Sequence, residues 1–140
     1  VSVTAPATFH RIRALRETGG PDTLRWMSVE PVLEDLSAID LTDIHAALVG
    51  GESGPQARPM RAEWVAGLLE ACQRADTKFF LKQWGQDANN PDPADPTRQS
   101  RGGMSKGGAR LFGREWRELP DWKRPAKVEH GQLDLFNSAA

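Results

Sequence analysis

Ala46-Ala47-Leu48-Val49-Gly50-Gly51-Glu52-Ser53-Gly54-Pro55 is the stretch that decides the fold. A short apolar run suits a strand buried on both faces, and it breaks abruptly into glycines that bracket a carboxylate and a hydroxyl. The same form occurs on either side, in Leu24-Arg25-Trp26-Met27-Ser28-Val29-Glu30-Pro31 and in Lys78-Phe79-Phe80-Leu81-Lys82-Gln83-Trp84-Gly85. Each apolar run ends in polar side chains followed by Gly or Pro. Val1-Ser2-Val3-Thr4 reads as the end of a fourth strand. A chain that opens inside a strand predicts the C-terminal part of a longer protein.

Helical patterns lie between these runs. Thr8 is a candidate cap for a helix over about 9–17, with Phe9, Ile12 and Leu15 at helical spacing, and Gly19-Gly20-Pro21 stops it. A second helix is predicted over 61–75, where Trp64, Val65, Leu68, Leu69 and Cys72 share one face. Residues 32–44 carry Leu33, Leu36, Ile39, Leu41 and Ile44, but acidic residues interrupt the period, so a loop with a short helical turn is expected. Beyond residue 85 the composition changes. Residues 87–96 are rich in Pro and Asp and 98–108 contain Gly, Ser and Lys, both reading as loop or disorder. The apolar residues of 111–122 predict a hairpin or turn that packs back on the body.

Strands alternating with helices give an α/β fold with a parallel sheet. Four strands in about 85 residues amount to half of a partial (β/α) barrel or of a doubly wound sheet. The expected organisation is a barrel-like half over 1–85, an irregular C-terminal extension over 86–122, and a polar tail over 123–140. A half barrel would leave two unpaired sheet edges.

Composition narrows the function classes. The 140 residues carry 18 Lys+Arg against 19 Asp+Glu, so no global field draws the chain to nucleic acid or membrane. A single cysteine excludes an intrachain disulfide and an all-cysteine cluster built from this chain alone. Cys72 belongs to an apolar helix face and reads as a small buried hydrophobe rather than a reactive thiol. His10, His45 and His130 lack ligand spacing, so no metal site is predicted from them. No apolar stretch approaches the length of a membrane span. No charged-then-apolar leader is present, and the cytoplasm is the expected location.

In parallel α/β folds the ligand lies at the carboxyl ends of the strands. Here those ends carry Thr4, Ser28, Glu30, Gly50, Gly51, Glu52, Ser53, Lys82 and Gln83. Glu30 and Glu52 can face one pocket, accept hydrogen bonds from a ribose or an amine, or do acid–base work. The plainer alternative is that Glu52 caps the loop after it and Glu30 pairs with Lys82. Gly50-Gly51 allows close backbone approach or a sharp turn, but neither dinucleotide fingerprint nor P-loop is present. Arg58 can clamp a carboxylate or phosphate.

Four blocks carry a resemblance: Ser28-Val29-Glu30-Pro31, Val49-Gly50-Gly51-Glu52-Ser53-Gly54-Pro55, Ala57-Arg58-Pro59-Met60 with Trp64-Val65, and Phe79-Phe80-Leu81-Lys82-Gln83-Trp84-Gly85. With Val1-Ser2-Val3, Gly113-Arg114-Glu115-Trp116 and Leu119-Pro120, they resemble the phage gene-product 37/68 family over roughly residues 1–120. That family resembles radical S-adenosylmethionine enzymes, whose N-terminal half holds a four-iron cluster on closely spaced cysteines. Those cysteines are absent here, so the resemblance implies the C-terminal half of such a protein. It further implies that Glu30, Gly50, Gly51, Glu52 and Ser53 line the adenosylmethionine or substrate side. Ser28, Arg58, Lys82 and Gln83 are the expected substrate contacts, with nucleic acid or a nucleotide as the substrate class. Separately, Gln132-Leu133-Asp134-Leu135-Phe136 resembles the peptide by which bacterial proteins dock on the DNA polymerase sliding clamp. The opposing reading is a non-catalytic α/β module that binds such a partner, or a tail whose apolar residues pack on its own body.

Overall fold

A computed structural model describes residues 1–98 and 106–121. The described fold is mixed α/β around a three-stranded parallel sheet. Strands β1 (Trp26–Val29), β2 (Ala46–Gly50) and β3 (Lys78–Gln83) lie in the order β1-β2-β3. The register sets Ser28 beside Leu48 and Leu48 beside Phe80. It then skips one residue, so that Gly50 faces Gln83 and Lys82 is passed over at a bulge. Val1 and Val3 extend the sheet through a parallel bridge at Ser2–Ser28, with Val3 N–H donating to Ser28 O at 2.9 Å.

Helix α1 (His10–Arg16) follows a 3-10 turn at Pro6–Thr8. Thr8 does not cap it. Its hydroxyl donates to Ala5 O at 2.7 Å and accepts from Thr4 N–H, tightening the turn before the helix. Gly19, at φ +77°, takes the left-handed conformation that ends the segment. Helix α2 (Ala62–Arg74) matches the apolar period closely, burying Val65, Leu68, Leu69, Ala71 and Cys72. Burial pushes the Cys72 thiol up to about 12, so it stays protonated and inert at neutral pH.

The sheet separates two unlike faces because strand side chains alternate. Met27, Val29, Ala47, Val49, Phe79 and Leu81 point into one core with Ile12 of α1 and Val65, Leu68, Leu69 and Cys72 of α2. Trp26, Ser28, Leu48 and Phe80 point the other way and are only half-buried. Both helices therefore cover the same face.

The link from β1 to β2 is a loop, as expected, with separate tight turns in place of the short helical turn. Its apolar residues explain why: Val32, Leu36, Ile39, Leu41 and Ile44 are all buried, so the link fills core volume with side chains spaced by tight turns. Backbone bonds Ile39 N–H to Leu36 O and Ile44 N–H to Leu41 O close those turns.

The segment after β3 is irregular, as expected, but ordered. Residues 86–98 are built around a buried acid rather than left as free loop. Asp95 is 4% exposed and its carboxylate accepts from Thr97 N–H, Thr97 Oγ1, Asn90 Nδ2, Ala109 N–H and Arg110 N–H. Burial alone would raise this carboxyl, but the Thr97 hydroxyl and the other donors outweigh it and hold the group below its usual range. A hairpin of β4 (Arg110–Leu111) and β5 (Arg114–Glu115) turns through Phe112 and Gly113, both at positive φ. Leu111 and Trp116 anchor it in the core, Trp116 meeting Phe79 edge-on at 6.2 Å between ring centres. The chain then runs antiparallel along the outer edge of β3, with Leu81 N–H bonded to Trp116 O and Glu118 N–H to Phe79 O. That edge is consequently paired, against the expectation of two open edges.

Candidate functional site

The carboxyl ends of the three strands bring two charged clusters out of the loops. In the first, Lys82 Nζ donates to both Glu30 oxygens at 3.0 Å, and Gln83 Nε2 donates to Glu30 Oε1 at 3.2 Å and to Gly51 O at 2.7 Å. Alternation puts Glu30 and Lys82 on the half-buried face with Ser28 and Phe80, whereas Gln83 is buried at 7% exposure. The Gln83 amide is fixed by its two acceptor partners, and this leaves Oε1 buried with no donor among the described residues. The Glu30–Pro31 peptide bond is cis.

Gly50 and Gly51 serve this cluster in different ways. A Cβ on Gly50 would lie 3.2 Å from the Glu30 carboxyl carbon, so the missing side chain is the space the carboxylate occupies. A Cβ on Gly51 would come within 2.1 Å of Trp84 O. What approaches Gly51 is thus the neighbouring strand's own backbone.

The second cluster is local to the loop after β2. Arg58 grips Glu52 with Nε on Oε2 at 2.8 Å and Nη2 on Oε1 at 3.0 Å, while Arg58 N–H also donates to Oε2 at 2.9 Å. The Arg58 side chain, then its backbone N–H, lowers the Glu52 carboxyl to about 2. Ser53 is exposed, and with Glu52, Gly54, Pro55, Gln56 and Ala57 it lines a shallow pocket of about 460 Å³. A carboxylate depressed this way contributes stability above its unfolded value, near 4.5, and loses that contribution as pH falls toward 2. The melting temperature of the chain is therefore expected to fall more steeply between pH 4.5 and 2 than that of Glu52→Gln, and to run parallel to it above pH 5. Thermal melts followed by circular dichroism across that range check this.

The expected rim residues thus divide. Glu30, Lys82, Gln83, Gly50 and Gly51 meet at one point. Glu52, Ser53 and Arg58 form the adjoining loop, and Arg58 is committed to Glu52. The Ser28 hydroxyl has no hydrogen-bond partner among the described residues. Residues 132–136 lie outside the described residues. Arg117 was not anticipated: its guanidinium lies over the Phe80 ring, 4.7 Å from the centre, and donates to Leu81 O and Lys82 O. Only the antiparallel return of 116–118 brings it there, and nothing local in the sequence signals that return.

Among the described residues, no group of three or more His, Cys, Asp or Glu side chains could hold a metal, and no helix is long and apolar enough to cross a membrane. No curated protein and no solved structure matches the chain. A family match covers residues 1–120, from the edge pairing of Val3 through β3 and the hairpin to the return strand. The chain therefore belongs to the family DUF5131, described as protein of unknown function.

Proposed function

We propose that this chain forms the ligand-facing wall at the carboxyl ends of a partial (β/α) barrel, the C-terminal half of a radical S-adenosylmethionine-like phage-family protein acting on nucleic acid or nucleotides. The observation that carries the reading is the uneven covering of the sheet. Parallel sheets are ordinarily buried on both faces, yet both helices pack on one side and Trp26, Leu48 and Phe80 stay half-buried on the other. A barrel interior has that character, and Glu30, Lys82 and Gln83 stand at its carboxyl-end rim, where such folds bind ligands.

Adenosylmethionine suits this rim chemically: Glu30 offers a carboxylate to an ammonium or ribose, Lys82 a cation to a carboxylate, and the half-buried face an apolar bed. The four-iron cluster does not suit these residues. Cys72 is the only thiol of the chain, and it is buried among α2's core contacts with its proton held firmly. In this reading the cluster ligands belong to the other half of the protein.

Calorimetric titration of S-adenosylmethionine into the intact protein tests the reading. Glu30→Gln and Glu52→Ala are each expected to weaken binding about tenfold, which is about 1.4 kcal/mol, with unchanged circular dichroism. Undiminished binding by both folded variants would overturn it.

A second reading, a partner-binding module, is favoured by the five consecutive matches at Gln132-Leu133-Asp134-Leu135-Phe136. A peptide spanning 129–140 is expected to bind the DNA polymerase sliding clamp, and Phe136→Ala to abolish binding. No heat of binding at high micromolar peptide removes this reading.

A further inference from the structure

We propose that the open face of the sheet takes a free mononucleotide, with its base beside Trp26 and its ribose and phosphate running up to Glu30 and Lys82. This rests on reading the strand ends as a ligand site, and it names the substrate class. A cavity of about 310 Å³ opens on that face, lined by Val1, Ser2, Trp26, Met27, Ser28 and Leu48. The indole and the Leu48 side chain give a planar group an apolar wall. The Ser2 and Ser28 hydroxyls make no hydrogen bond among the described residues, and hydroxyls both donate and accept, which suits the mixed edge of a base.

The polar end of the face complements the rest of a nucleotide. Glu30 follows Ser28 by two residues on the same face, about 6.6 Å along the strand, a distance comparable with that from a base to its sugar. A carboxylate at this place accepts from ribose hydroxyls. Beside it stands a cation, Lys82, 3.0 Å from Glu30 and half-exposed. An ammonium at this place can pair with a phosphate. Apolar wall, carboxylate and cation therefore follow one another in the order of base, ribose and phosphate.

Calorimetry on the intact protein with the four ribonucleoside 5′-monophosphates, ribose 5-phosphate, a short single-stranded oligonucleotide and S-adenosylhomocysteine tests the assignment. At least one mononucleotide is expected to bind ten times or more tighter than ribose 5-phosphate. Trp26→Leu and Leu48→Lys should each cut that preference at least fivefold, and Lys82→Met should weaken the nucleotide but not its nucleoside. Two substitutions in the cavity guard against one failing to fold. Equal affinity for nucleotide and ribose 5-phosphate, or a preference that survives both cavity variants, overturns the proposal. So does tighter binding of the oligonucleotide than of any mononucleotide. Glu30-dependent binding of S-adenosylhomocysteine without nucleotide binding rejects the nucleotide and keeps the barrel-wall reading, whereas loss of both rejects both.

Discussion

Asp95→Ala is expected to destabilise the chain by about 3–4 kcal/mol, lowering its melting temperature by about 10 °C. The carboxylate is 4% exposed and gathers donors from three separate segments: Asn90, Thr97, and the backbone of Ala109 and Arg110. Truncation leaves those donors buried around a void, and each unsatisfied group costs about 1–3 kcal/mol, partly offset by relaxation. Asp95→Asn keeps the shape but turns an amide NH₂ toward donors, so it should lose a large part of the same energy. Thr97→Val, which removes a hydroxyl that donates to Asp95 and accepts from Ala109 N–H at 2.8 Å but keeps the Thr97 N–H bond, should lose about 1–2 kcal/mol. Urea unfolding of the three variants orders them; a near-neutral Asp95→Ala would mean that the 90–98 loop does not hold the hairpin.

Gly51→Ala is the second large effect, about 3 kcal/mol or more. Its Cβ would stand 2.1 Å from Trp84 O and 2.7 Å from the Trp84 carbonyl carbon, and backbone cannot rotate out of the way as a side chain can. The strand ends of β2 and β3 must then part, breaking Gly51 N–H to Gln83 O and the Gln83 Nε2 bond to Gly51 O. Gly54→Ala is the control. Its φ of +115° is strained for alanine, but no atom lies within 4 Å of the added Cβ, so its cost should be smaller and confined to the exposed loop. Comparing the two by denaturant unfolding separates the clash from the loss of glycine's freedom.

What could be read in advance follows from how local the cause is. Helix α2 declares itself through an apolar period of 3.6 and the three strands through short apolar runs that end in polar residues; those runs read as buried on both faces, whereas the structure leaves Trp26, Leu48 and Phe80 half-buried. The pairing of Glu30 with Lys82 stands open in the sequence as an alternative to a shared carboxylate pocket, since both end strands that flank β2 and their side chains meet across it. Thr8 misled because Ser/Thr hydroxyls close turns as readily as they cap helices. Residues 87–96 read as loop, which they are, but the reading does not reach how that loop is held. Their Pro and Asp content describes a segment unable to bury apolar surface, and the structure orders it by burying a single hydrogen-bonded carboxylate instead. Asp95-Pro96-Thr97 does hold the one local hint, a side-chain turn that starts the short 3-10 helix Pro96–Arg98. Its partners on Ala109 and Arg110 are distant in sequence and left no mark there.

The antiparallel return of 116–118 gives the sheet a direction of growth. With the β3 edge taken by a reversed strand, the edge left to a further parallel strand is that of residues 1–3, where Val3 N–H is turned inward to Ser28 O and the Ser2 carbonyl accepts from the Arg11 guanidinium at 2.9 Å. Growth of the described sheet is thereby made one-sided, and the reversed segment acts as an end stop. Deleting residues 116–121 should convert that end stop into a second sticky edge, with higher-order association as the visible result.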